Sequence, residues 1–157
     1  MAPLSLAPFF VAASVLLSLG APPLQLDAMA GRPPTAVSAS LGLGPLWAPD
    51  EVDPGVPVGL DYQIPEGGVL SVTYCDERAT SFDLHLTAPF ATATDLVAWA
   101  GVSVRPLVVA EQATWHVEWA EPDPEARRGN GVVLVRVLAL RSEDGWDRLT
   151  VDYAVPC

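Results

Sequence analysis

From Val56 onward the segments between turn signals show a side-chain period of two, not 3.6, a pattern that points this region to β-strands. Successive side chains of a strand point to opposite faces, whereas a helix returns to the same face about every 3.6 residues. Ser81 to Thr87 shows the alternation most cleanly: Phe82, Leu84 and Leu86 are set inward, with Asp83, His85 and Thr87 outward. Arg148 to Val155 repeats it with Leu149, Val151 and Tyr153. Thr114 to Ala120 places Trp115, Val117 and Trp119 on one face, and His116 and Glu118 on the other.

Further strands are predicted over Val56 to Ile64, over Val69 to Cys75 after the turn Glu66-Gly67-Gly68, and over Val132 to Arg141. Pro57 suits an edge or a strand start, and Pro89 closes the segment before it. Asp95 to Ala100 and Val102 to Ala110 read as two more β-rich segments about Gly101, with Pro106 marking a bulge or an edge. Residues 92–99 admit a short helix instead. The connection from Glu121 ends in Gly129-Asn130-Gly131, a hairpin turn signal.

Seven or eight short strands with no long amphipathic helix between them predict an all-β domain over residues 56–157. The expected architecture is an antiparallel two-sheet sandwich, with a small β-barrel as the alternative. In size and rhythm the pattern is similar to immunoglobulin-like and fibronectin type III-like modules. The Cys…Trp…Cys arrangement of antibody domains is absent, so the resemblance is architectural and carries no residue across.

The N-terminus follows a different logic. Leu4 to Leu19 contains no charge, and Phe9 to Leu17 forms a compact apolar stretch. Residues 1–30 are read as a signal peptide, with small-x-small cleavage sites after Gly20 and after Ala30. No Lys or Arg precedes the apolar stretch, which leaves an uncleaved membrane anchor or a part of the fold as alternatives. Leu4 to Gly20 is short for an anchor, which needs about 20 apolar residues, and Pro8 interrupts it. Residues 31–55 are read as a Pro/Gly-rich linker or arm, with Leu46 and Trp47 available to pin its end.

Eight arginines, no lysine and nineteen acidic residues give a formal net charge of −11. Nucleic acid is an unfavourable partner for such a surface. The one adjacent basic pair, Arg127-Arg128, sits in an acidic loop. Two cysteines, Cys75 and Cys157, favour a disulfide in an exported chain, with two free thiols as the alternative. Closing a loop of that length stabilises the fold by roughly 4–5 kcal/mol in the ideal entropic treatment.

Asp83-Leu84-His85 and His116-Val117-Glu118 each place two metal-ligating side chains on one strand face. They would form a site only if the two strands were neighbours; otherwise they are alternating charge on a solvated face. No nucleophile elbow, zincin motif or phosphate-binding loop occurs, and no cofactor is implied. The acidic loops at 50–53, 121–125 and 144–147 lack EF-hand spacing and read as solvated turns. Trp146, flanked by Asp144 and Asp147, is the expected exposed aromatic, while Trp115 and Trp119 are assigned to the core.

Along 132–140, Val133, Val135, Val137 and Ala139 are assigned to one face, and Val132, Leu134, Leu138 and Leu140 to the other. Both faces are apolar apart from Arg136, for which a carboxylate partner is expected. One face therefore needs a cover from this chain or a contact with a protein partner or a second copy. The functional expectation is an exported, non-enzymatic binding or assembly module of the cell envelope or extracellular space. Its contacts would lie at the loops 121–131 and 143–147. A small secreted metal-dependent hydrolase and a carrier of a small apolar ligand inside a barrel are the alternatives. Membrane association would come only through an uncleaved leader.

Overall fold

A computed structural model describes residues 24–128 and 130–157. Residues 1–23 of the expected leader, with its Gly20 cleavage site, and the Gly129 position of the expected turn lie outside the described residues. The elements in order are α1 (Leu26–Met29), α2 (Pro34–Leu41), β1 (Val58–Gln63), β2 (Gly68–Cys75), β3 (Arg78–Phe90), α3 (Ala93–Trp99), β4 (Val108–Ala113), β5 (His116–Ala120), β6 (Val133–Ser142) and β7 (Gly145–Ala154).

All seven strands belong to one antiparallel sheet in the order β1-β2-β3-β7-β6-β5-β4. The expected two-sheet sandwich, the immunoglobulin-like form and the closed barrel are therefore all incorrect. β1 to β3 run as a meander. α3 then carries the chain across to the far edge, and β4 to β7 return hairpin by hairpin until β7 pairs with β3. Alternation is identical in a sandwich and in an open sheet covered on one face, because a strand's period reports only that one face is buried. Here helices and the N-terminal segment provide the second layer.

The covered face presents Tyr62, Leu70, Val72, Phe82, Leu84, Leu149 and Val151, all essentially inaccessible to solvent. Against it pack Leu24, Leu26, Met29, Ala30 and Val37 from the N-terminal side, with Leu96, Val97 and Ala100 from α3. Thus the residues before the Ala30 site belong to the core, and the expected linker contains α2, which begins on Pro34 and buries Val37 completely. α1 is seated on the end of α3: Leu26 donates its N–H to Ala100 O at 3.0 Å. Gly101, at φ 71°, passes so close to the Gln25 backbone that a Cβ there would collide with it.

The segment 95–100, read as a strand with a short helix over 92–99 as the alternative, falls in the helix α3 and its cap. Ala93, Leu96 and Val97 of α3 and the following Ala100 are buried at a helical spacing, and the Thr92 hydroxyl caps the helix by accepting the Asp95 N–H at 3.1 Å. β4 starts only at Val108, beyond Pro106. β3 is longer than expected and continues through Pro89, with its pairing to β7 broken between His85 and Phe90.

β6 departs from the expected faces because of a bulge. Its pairing with β7 shifts between Leu134 and Arg136, leaving Val135 out of the ladder and 50% exposed. An extra residue inverts the face parity from that point on. Leu134 therefore shares the covered face with Val137 and Ala139. Arg136, Leu138 and Leu140 fall on the open face, where the Arg136 Nε and Nη2 donate to Asp152 Oδ2 at 3.0 and 2.8 Å. The open face is otherwise satisfied by hydroxyl–carboxylate pairs: Ser71 to Asp61, Ser81 to Asp152 and Thr150 to Asp83.

Cys75 and Cys157 form a disulfide across a sequence separation of 82, fastening the chain end beyond β7 to the end of β2. Such a bond is consistent with an oxidising compartment. Among the described residues, no helix is long and apolar enough to cross a membrane.

The core role of residues 24–30 makes a direct prediction. Losing a fully buried Leu or Met costs about 2–5 kcal/mol each, against a typical total stability of about 5–15 kcal/mol. A chain beginning at Ala21 should unfold cooperatively in urea, while one beginning at Gly31 should show a much lower midpoint or no transition.

Candidate functional site

The two tight hairpins β4–β5 and β6–β7 end side by side at one end of the sheet. Ala113 pairs with His116, so Thr114 and Trp115 form the first turn. Ser142 pairs with Gly145, so Glu143 and Asp144 form the second. The tips are joined directly, because Arg141 donates its N–H to Trp115 O at 2.8 Å.

Trp115 lies at the apex and is 60% exposed, the most open tryptophan of the described chain along with Trp47 at 52%. Its ring rests on that of His116, with centroids 3.9 Å apart and planes inclined by 50°. One side of the indole is thereby supported while the rest meets solvent. His116 beneath it is only 5% exposed, and its Nε2 lies 3.3 Å from Glu111 Oε1. Its Nδ1 is buried with no protein partner among the described residues. Thr114, Arg141, Ser142 and Glu143 complete a shallow groove beside the indole. The result is a rigidly backed aromatic surface ringed by hydrogen-bonding groups of both charges.

The proposed metal ligands do not converge. His85 is on β3 and His116 on β5, with β7 and β6 between them. Three strand spacings of about 4.8 Å put the two strands roughly 14 Å apart. Asp83 instead accepts the Thr150 hydroxyl at 2.6 Å. Glu118 lies opposite Leu138 and Glu111, and the histidine's carboxylate neighbour is Glu111. Among the described residues, no group of three or more His, Cys, Asp or Glu side chains is placed to hold a metal ion.

Trp146, expected at the surface, is half-buried in β7 against the core. Asp144 is exposed in the second turn, adjacent to the groove. Asp147 is half-buried, with its Oδ1 3.9 Å from the Arg148 Nε. Arg127 is spent locally, donating from Nη1 to Gly131 O at 2.7 Å.

Arg128 turns inward. Its Nη2 donates to Ser103 O at 3.1 Å, its Nε lies 3.8 Å from Asp27 Oδ1, and Nη2 lies 3.9 Å from Glu121 Oε2. Asp27 also accepts the Tyr153 hydroxyl at 2.6 Å and the Ser103 N–H at 2.8 Å. Asn130 Nδ2 donates to the carbonyls of Asp27 and Ala30. This network draws the 121–131 loop onto α1, so Arg128 braces the fold and does not face outward.

The sequence alone pointed to none of Glu111, Thr114 and Arg141 and assigned Trp115 to the core, whereas Glu143 lies in the 143–147 loop expected to make contacts. Thr114 and Trp115 carry none of the Gly, Asn or Asp signals of a two-residue turn, and the alternation runs unbroken in sequence through the apex. Comparison with protein families, with curated proteins and with solved structures finds no match.

Burial, and then the Asp27 carboxylate, hold the Tyr153 phenol well above its ordinary 10.0, with Arg128 opposing. Because the folded-state value is raised, this stabilisation is complete below about pH 10 and is lost as pH rises beyond it. Tyr153→Phe should lower stability by about 1.5–3 kcal/mol near neutrality by removing a hydrogen bond to a charged group. In urea titrations the gap between wild type and variant should narrow above about pH 10.

Proposed function

We propose that this chain is an exported, non-enzymatic binding or assembly module that engages a protein partner through the Trp115 end of its sheet. The observation that carries the reading is Trp115 itself, exposed at a hairpin apex yet in tilted ring contact with a buried histidine. Tryptophan and arginine dominate the energetic centres of protein interfaces, and Trp115 sits beside Arg141. Covering the exposed part of the indole would contribute about 2–4 kcal/mol of apolar burial. A net charge of −11 favours a basic partner surface and speeds its approach. The apolar leader and the disulfide support export. The burial of Leu24, Leu26, Met29 and Ala30 favours cleavage after Gly20 over cleavage after Ala30.

Two measurements test this. A photo-crosslinking amino acid at Thr114, in cells that naturally make the protein, should give a discrete protein adduct that Trp115→Ala abolishes. The same probe at Ser71, on the open sheet face, should give none. Absence of an adduct at Thr114, or its persistence in Trp115→Ala, would remove the contact-surface reading. Sequencing of the mature N-terminus should begin at Ala21; an intact leader on protein with two reduced thiols would remove export.

A further inference from the structure

At the opposite edge of the sheet, the segment before β1 folds back over β1 and β2 and leaves an apolar cavity of about 180 Å³. Pro34 of α2, Pro49 and Val52 of the covering segment, Val58 and Leu60 of β1, and Tyr74 of β2 form its walls. The volume lies below the roughly 300–1,000 Å³ of sites for drug-sized molecules and has room for no more than a single ring or a short branched chain. Leu46, Trp47, Val52 and Val56 stand exposed along the same covering segment, and of these Val52 lines the cavity.

The rim has the opposite character. Asp76 and Glu77 line the cavity from the β2–β3 turn, where both adopt positive φ, 46° and 61°. That conformation is the tight hairpin turn usually built from Asn-Gly, and here it holds two adjacent carboxylates at the cavity mouth. Asp76 Oδ1 accepts the Gly55 N–H at 2.7 Å, which ties the covering segment to the rim. Among the described residues, the ion pairs present leave both carboxylates without a cationic partner. The Tyr74 hydroxyl is 2.9 Å from that of Tyr62, so the polar end of this lining residue is satisfied within the protein.

We propose that this cavity is a binding site for a small amphiphilic cation, an ammonium group on a compact apolar body. The body fills the space between the covering segment and β1, and the ammonium stands at Asp76 and Glu77. An apolar cavity alone would accept a neutral molecule equally well. The unpaired acidic rim, on a chain of net charge −11, selects the cation and disfavours an anion. Because the carboxylates are exposed, the selectivity is moderate and falls with salt.

The test is a nitrogen–proton NMR titration of the full chain with 2-phenylethylamine, 2-phenylethanol and phenylacetate as matched probes. Saturable shifts should centre on Val52, Val58, Leu60, Tyr74, Asp76 and Glu77. The amine should bind about three- to tenfold more tightly than the alcohol, and the acid more weakly than either. Asp76→Asn with Glu77→Gln should equalise amine and alcohol while retaining both. Ala48→Trp, an exposed position on the cavity wall, should weaken both together. Trp115→Ala should leave all three unchanged, which separates this site from the protein-contact surface. Equal binding of amine and acid, shifts centred elsewhere, or no saturable response from any probe would each overturn the proposal.

Discussion

The structure depends on covering one face of a single open sheet. Seven antiparallel strands present a continuous apolar surface that cannot remain in water, and a sheet that does not close on itself supplies no second layer. Three short helices and the extended chain around them provide that layer. Removing apolar surface from water contributes roughly 25 cal/mol per Å², and Leu24, Leu26, Met29 and Ala30 are part of the core that it stabilises. These residues precede the strands by some distance in sequence, yet they complete the core.

Polar contacts hold the cover in place. α1 is too short to be stable alone, so its position comes from backbone hydrogen bonds to the end of α3 and from Asp27. Asp27 draws together the Tyr153 hydroxyl, the Ser103 amide and Arg128, which belong to β7 and the connections that follow α3 and β5. A charged network in this position orients the layers by directional bonds, which apolar contact does not do. The disulfide performs the corresponding task at the other terminus, joining the chain end to β2.

The uncovered face and the two edges then divide the surface. On the open face, Ser71, Ser81 and Thr150 satisfy carboxylates on neighbouring strands, and Arg136 pairs with Asp152. Leu138 and Leu140 are half-buried within this polar ladder. The β1 edge is partly shielded by the Leu46 N–H bonded to Asp61 O, and the small cavity forms beneath the same segment. The β4 edge remains exposed, with Val108 and Val109 about half accessible at the end of the strand away from Trp115. Apolar surface therefore collects at the sheet margins, where the covering layer ends.

The sequence by itself determined most strands and their buried faces: Phe82, Leu84 and Leu86, or Leu149, Val151 and Tyr153, lie as the alternation indicates. It also indicated the Cys75–Cys157 bond and a carboxylate partner for Arg136. These features follow from side-chain period, residue count or a nearby opposite charge. Only the tertiary structure decided that one sheet forms, that β7 and β6 separate the two histidines, and that residues 24–30 belong to the core. It also decided that a bulge at Val135 inverts a face and that Trp115 emerges at a turn. The physical reason is that a strand's periodicity records which side chains avoid water, whereas the identity of the covering layer and of neighbouring strands is set by pairings distant in the chain.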